Sequence, residues 1–212
     1  MIVFGSSMSP FVRKVVAFAA EKGVAIDHRQ IGLGSEDPEF LAASPFRNIP
    51  AMIDGDYNLA DSSAIVHYIE AVHPDPALIP ADPKLRGRAI WFDEFADTLI
   101  FACFGKMFFN RVVAPRFMGL PCDAVAADTA QATEMPPLLD YLEGVIPDSG
   151  FLVGDRLTLA DIAVSSPFVN LEHAGVTIDA AQHPRLAAYV GAILARPSFA
   201  GMVAKERRFL AA

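Results

Sequence analysis

Three short stretches of this chain hold residues with chemistry to offer. Ser9 stands directly before Pro10, where the apolar run Ile2-Val3-Phe4 gives way to a helical pattern. A hydroxyl there lies among the unpaired N–H groups at the positive end of a helix. It can donate a hydrogen bond to a ligand thiolate and lower that thiol's pKa from about 8.5. A plain N-cap is the competing account, worth about 1 kcal/mol, and Ser6 and Ser7 compete for the same role. Asn48-Ile49-Pro50 precedes a strand. A cis bond there would leave the N–H and C=O of Ile49 unpaired and facing outward, whereas an ordinary loop proline would not. Asp61-Ser62 opens a helix. Asp61 can take an ammonium, and Ser62 with its neighbouring N–H groups can take a carboxylate, or the pair can simply cap the helix. Together the three stretches suit a small peptide that carries a free amine and free carboxylates.

A second set lies farther along. Asp97, Phe101, Phe104, Phe108 and Arg111 recur at spacings of four, three, four and three, which places them on one helical face. A phenylalanine stripe of this kind is ordinarily core. With a charge at each end it also suits the wall of a half-open apolar pocket, to which Met8, Phe11 and Met107 could add soft surface. Thr158-Leu159-Ala160-Asp161 reads as a capping box that serves folding. The five histidines form no ligand-spaced pair, so no metal site is expected. A phosphate-binding glycine loop is also lacking.

These residues need elements to position them. Ile2–Phe4 is a strand, followed by a helix from Ser9-Pro10 to about Lys22, with Gly23 as the stop. Residues 25–31 form a second strand and 35–43 a short helix. Residues 51–53 and 57–59 make a hairpin around Asp54-Gly55. Asp61 then opens a helix with Ile65, Val66, Ile69 and Val72 on its apolar face. The order is βαβ, helix, ββα. Pro74, Pro76, Pro80 and Pro83 forbid a helix through the next stretch, which reads as a linker. Beyond it only helices are expected: 85–111, 124–145 with a break or kink at Pro136-Pro137, 158–172, 184–195 and 198–209. Strands followed by a block of helices predict an α+β chain of two units: residues 1–75, a linker over 76–84, and an all-helical unit over 85–212.

Bulk properties narrow the function. A chain of 212 residues with 53% apolar content and a mean hydropathy of +0.34 can bury a sizeable core. Its formal charge of -8 argues against non-specific nucleic-acid binding. The longest apolar runs fall short of the roughly 18 residues that span a bilayer, and the start lacks the features of a signal peptide. Cys103 and Cys122 have neither metal nor redox-motif spacing. A reduced cytoplasmic protein with no nucleic-acid or membrane partner is expected.

In this order the motifs resemble the cytosolic glutathione transferase superfamily, over essentially the whole chain. Ser9-Pro10-Phe11-Val12-Arg13 is similar to the active-site stretch of its serine-type members. Asn48-Ile49-Pro50 is similar to the cis-proline segment that pairs with the glutathione cysteine backbone, and Asp61-Ser62 to the acidic-serine pair at the γ-glutamyl end. Residues 154–162 are similar to the capping segment of the helical domain. The resemblance implies a thioredoxin-like first domain that binds glutathione as co-substrate. It implies that Ser9 stabilises the thiolate and that a small hydrophobic electrophile sits between Met8, Phe11 and the phenylalanine stripe. It further implies a role for Arg47 near the glycine end, for Asp97 at the glutathione amine of its own or a partner subunit, and a homodimer acting in detoxification. The class stays unassigned. A non-catalytic glutathione-binding or scaffold member, or a glutathione-dependent peroxidase or isomerase, remains the alternative.

Overall fold

A computed structural model describes residues 1–32 and 34–212. Four strands form one mixed sheet in the order β2-β1-β3-β4, made of β1 (Ile2–Phe4), β2 (Asp27–Arg29), β3 (Ala51–Asp54) and β4 (Tyr57–Ala60). β1 runs parallel to β2 and antiparallel to β3, and β3 closes a hairpin with β4. β2 is shorter than the expected 25–31 because its partner, β1, offers three residues to pair with. Alternation divides the sheet cleanly. Val3 and Met52, in register, face helices α1 (Pro10–Glu21) and α3 (Ser62–Val72), while Phe4 and Ala51 face α2 (Pro38–Ala43). The α2 helix begins later than residue 35 because Asp37 is its cap, accepting from the N–H groups of Glu39 and Phe40. On α3, Ile65, Val66 and Ile69 are buried as expected, but Val72 in the last turn is exposed.

Residues 73–82 are non-helical. Asp82 caps α4 (Pro83–Phe95), two residues ahead of the expected start. The helical run continues through a π-helical turn at Ala96–Ile100, α5 (Phe101–Phe108), a second π turn at Phe109–Val113 and α6 (Ala114–Phe117). Next come α7 (Ala124–Thr129), a third π turn (Ala130–Glu134) and α8 (Met135–Val145). That last π turn sits directly before Pro136 and Pro137. The helical assignment runs unbroken through these two residues that cannot donate to the ladder, where a break or kink was expected, and the widened turn beside them is itself a feature of bent helices. The remaining helices are α9 (Leu159–His173), α10 (Pro184–Leu194) and α11 (Pro197–Ala211).

α9 is the hub. It is buried from Leu159 to Leu171 and packs against α1, α4, α5 and α10. The Asp161 carboxylate ties its start, accepting from the N–H groups of Thr158 and Leu152, both at 2.8 Å. One core joins the sheet's α1 face to the helical block, through Phe18, Ile69, Phe92, Phe104 and Phe168.

Two adjacent cations lie inside this core. Arg13 and Lys14, adjacent on α1, are 0% and 1% exposed. Neighbouring helical residues point about 100° apart, so the two reach opposite neighbours. The Arg13 guanidinium pairs with Glu206 on α11 at 2.8 Å, and His173 Nε2 lies 3.1 Å from the same carboxylate. Burial pushes the Glu206 carboxyl up, but the hydrogen bond with His173 and the Arg13 charge outweigh it and hold the group below its ordinary 4.5. A carboxyl depressed on folding adds stability that is complete above its unfolded value and is lost as pH falls through the folded one. Melting temperature should therefore decline as pH is lowered below about 4.5. Glu206→Gln should melt lower at neutral pH yet show a shallower acid decline, read by differential scanning calorimetry across the acid range.

Candidate active site

Of the residues singled out from the sequence, Ser9 and Asp61-Ser62 stand where two helices begin. Ser9 is the N-cap of α1, with φ −74° and ψ 127°, and its side chain makes no capping bond. The half-buried hydroxyl thus sits at the positive helix end without being consumed by it. Of its competitors, Ser6 Oγ accepts from the N–H of Met8 at 3.3 Å, and Ser7 is buried. Pro10 at the first helical position has no N–H to leave unpaired.

The loop before β3 approaches this end of α1. Gly5 ends β1 at φ +138°, and a Cβ there would stand 2.5 Å from Val12 Cγ2 and 3.0 Å from Ile49 Cβ. Only glycine fits so close an approach. The Ile49–Pro50 bond is cis. Pro50 O accepts from the N–H of Asp61 at 3.3 Å, which joins the loop to the start of α3.

Asp61 itself has φ +87°, a conformation that non-glycine residues rarely adopt and that aspartate tolerates better than most. Its Oδ1 accepts from the N–H of Ala64 at 2.9 Å, so the capping role is real. The residue is nonetheless exposed, which leaves its second oxygen open to solvent. Ser62 is buried, and its hydroxyl donates to Asp97 Oδ2 at 3.3 Å.

Behind this pair lies a network that the sequence did not reveal. Lys14 Nζ donates to Asp93 Oδ1 at 2.7 Å, Asp97 Oδ2 at 2.6 Å and Ser63 Oγ at 3.1 Å. Ser63 Oγ in turn donates to Asp93 Oδ2 at 2.8 Å. One cation thereby fastens α1 to the first turn of α3 and to the helical run at residues 93–97. Burial pushes the Asp97 carboxyl above its usual value, the Lys14 charge draws it back, and Asp93 repels it upward again. Asp97, expected at a ligand amine, is thus engaged by its own chain. A signal was present in the sequence. Two adjacent cations inside the apolar helix PFVRKVVAFAAE leave no single polar face for both.

The expected apolar wall divides. Phe11 and Phe101 come together, with ring centroids 4.6 Å apart, and Phe101 remains 38% exposed. Phe104 and Met107, expected in the wall, lie in the core instead. Phe104 packs edge-on against Phe168 of α9 at 5.1 Å. The face that α5 turns to the core is Ile100, Cys103, Phe104 and Met107, an i, i+3, i+4, i+7 set that overlaps the stripe only at Phe104. Phe108 flanks it beside His173, with centroids 6.4 Å apart. Arg111 is spoken for, pairing with Asp128 at 2.8 Å and donating to Ala174 O at 3.4 Å. Arg47, left-handed at φ 60° and exposed, pairs with Glu36 at 2.7 Å, and Asn48 O accepts from Ser44 Oγ at 2.8 Å. Met8 is half-buried, its carbonyl bonded to Asn170 at 2.7 Å. Among the described residues no group of three or more His, Cys, Asp or Glu side chains is arranged to hold a metal. No single helix among the described residues is long and apolar enough to cross a membrane.

Lys14→Met would leave Asp93, 1% exposed, without its cation. Unfolding in denaturant should show a loss of roughly 3–5 kcal/mol. Asp97→Asn, which keeps the Lys14–Asp93 pair, should cost clearly less.

Known proteins place this geometry. The family model for the glutathione S-transferase N-terminal domain matches residues 3–77, and that for the C-terminal domain matches residues 123–206. A glutathione S-transferase of Hyoscyamus muticus is 30% identical over 206 residues, covering 94% of this chain and 95% of the relative. A solved glutathione S-transferase from Rhodospirillum rubrum superposes with a TM-score of 0.86 at 23% identity, over 95% of this chain and 90% of that one. Another, from Methylobacterium radiotolerans in complex with glutathione sulfonate, gives a TM-score of 0.78 at 27% identity, over 95% and 93% of the two chains.

Proposed function

The chain belongs to the glutathione S-transferase family, and from that premise we propose that it activates the glutathione thiol for attack on small hydrophobic electrophiles. The observation that carries this reading is the Ser9 hydroxyl, which holds the N-cap of α1 yet makes no capping bond. It is thereby free to donate to a thiolate, and the helix end adds a favourable field.

The neighbouring groups fit the rest of glutathione. Ile49, beside the cis bond, offers its N–H and C=O to the cysteine backbone of the peptide. Asp61 takes the γ-glutamyl ammonium with its open oxygen, and the N–H groups that open α3 take the γ-glutamyl carboxylate. Asn48 and Arg47 lie toward the glycine end, Arg47 after exchanging Glu36 for the glycine carboxylate. Residues 1–75 carry the peptide. The helical unit over 85–212 presents Phe101, and Phe11 meets it from the first unit; Met8 and Phe108 are the further wall residues of this reading.

The reaction is a displacement or addition. Glutathione loses its thiol proton to solvent, and Ser9 donates a hydrogen bond to the sulfur, holding it as thiolate. The sulfur lone pair forms a C–S bond at the electrophilic carbon, and the electrons of the broken bond leave with the departing group, or, in an addition, the adjacent carbon takes a proton. The protein itself need only hold the sulfur in line with the carbon and supply a low-dielectric wall. Two free cysteines fit a reducing, cytoplasmic setting, and exposed Phe46 and Leu99 offer apolar surface for a homodimer.

Ser9→Ala should lower turnover with a generic aryl halide by more than about tenfold at saturating glutathione; an unchanged rate would remove Ser9 from the role. Asp61→Asn keeps a capping oxygen and a residue type that accepts positive φ. It should weaken glutathione binding by about tenfold with little change in melting temperature. Unchanged affinity by calorimetry together with a large drop in melting temperature would leave Asp61 a cap and nothing more.

A further inference from the structure

We propose that Ser166 and Asn170 on α9, held by Arg13, are positioning residues for the Ser9 hydroxyl; the inference rests on the reading of Ser9 as the thiolate donor. Ser9 lies between two carbonyls that α9 grasps from the helical side. Asn170 Nδ2 donates to Met8 O at 2.7 Å, and Ser166 Oγ donates to Pro10 O at 2.7 Å. Both side chains are almost completely buried, Asn170 at 3% and Ser166 at 1% exposure. Water is in no position to compete for these bonds.

The same two residues are themselves fixed by a single cation. Arg13 Nη1 donates to Asn170 Oδ1 at 2.9 Å and to Ser166 O at 2.8 Å, while Nη2 pairs with Glu206. The backbone N–H of Arg13 donates to Ser9 O at 3.0 Å. The peptide plane that carries Met8 O sets φ of Ser9, and the plane that carries Ser9 O sets ψ. Asn170 holds the first and Arg13 the second, with Ser166 holding the next plane along. With both torsions held, only χ1 of Ser9 remains to aim the hydroxyl, and that torsion has three wells.

This arrangement separates binding from activation. The groups assigned to glutathione, around Ile49 and Asp61, lie on other elements. A fault in the α9 clamp should therefore misplace the hydroxyl relative to the sulfur while leaving the peptide bound. The cost of a misplacement of about an ångström reaches two orders of magnitude in the chemical step.

Ser166→Ala and Asn170→Ala each remove one bond to a carbonyl flanking Ser9, Asn170→Ala also removes an acceptor of Arg13, and Ser166→Thr keeps the hydroxyl. Each would be assayed with an aryl halide, and the thiolate of enzyme-bound glutathione titrated by its ultraviolet absorbance. The alanine variants should lose about tenfold or more in kcat, with KM for glutathione within about twofold, and the pH of half-ionisation should rise by about one unit. Ser166→Thr should restore both. Variants that melt lower yet keep the wild-type kcat and ionisation midpoint would overturn the clamp and leave α9 a purely structural helix. A wild-type protein that leaves bound glutathione protonated would overturn the reading of Ser9, and this inference with it.

Discussion

Placing two neighbouring cations inside one helix is the constraint on which the rest of this structure depends. Arg13 and Lys14 are fully buried in α1, and a buried charge without partners would cost several kcal/mol. Each must therefore find acceptors, and because they point in different directions they find them in different places. Arg13 reaches α9 and α11, and Lys14 reaches α3 and the helical run at Asp93 and Asp97. The helix that starts at Ser9 is thus bolted on two sides by interactions that fail if any partner moves. Hydrophobic packing alone tolerates sliding, but charge-assisted hydrogen bonds with fixed geometry do not.

That rigidity is useful because the site is built from termini. Two helix starts, a strand end and a loop before β3 supply its groups, and such elements are ordinarily the least restrained parts of a fold. Here each is tied down. The start of α1 is held by α9, the start of α3 by Lys14 and Pro50 O, and the loop by the glycine contact at Gly5. Asp61 is kept at a positive φ by the same neighbours. A strained residue persists where its surroundings over-determine it, and Asp61 is over-determined by a cap, a backbone bond and the network beneath it.

Much of this was legible in the amino-acid sequence. Asp61 and Thr158–Asp161 are local signals in which a side chain bonds within a few residues of itself, Ser9-Pro10 is a cap-and-proline pattern set by backbone conformation, and the helices α1, α3 and α9 start where these were read. The cis proline was readable as one of two options from its place before a strand. Register and burial were less legible. β2 shrank to the length of its partner, and of the expected apolar wall the stripe residue Phe104 and the neighbouring Met107 went to the core, because the face buried there is Ile100, Cys103, Phe104 and Met107. The charged residues that end the stripe, Asp97 and Arg111, found partners from 17 to 83 residues away, a distance over which spacing carries no information.

By itself the sequence determined the order of the elements, through short-range patterns of capping, turn chemistry and hydrophobic period; the family followed from the resemblance of its motifs, and Ser9 stood as a thiolate-holding candidate beside Ser6 and Ser7. Only the tertiary structure decided what those residues are attached to. Whether the Ser9 hydroxyl is consumed as a cap or left free, and which groups of its own chain Asp97 meets, depends on which buried groups must be satisfied across helices. That requirement comes from desolvation, which acts between elements far apart in the chain and leaves no mark on local spacing.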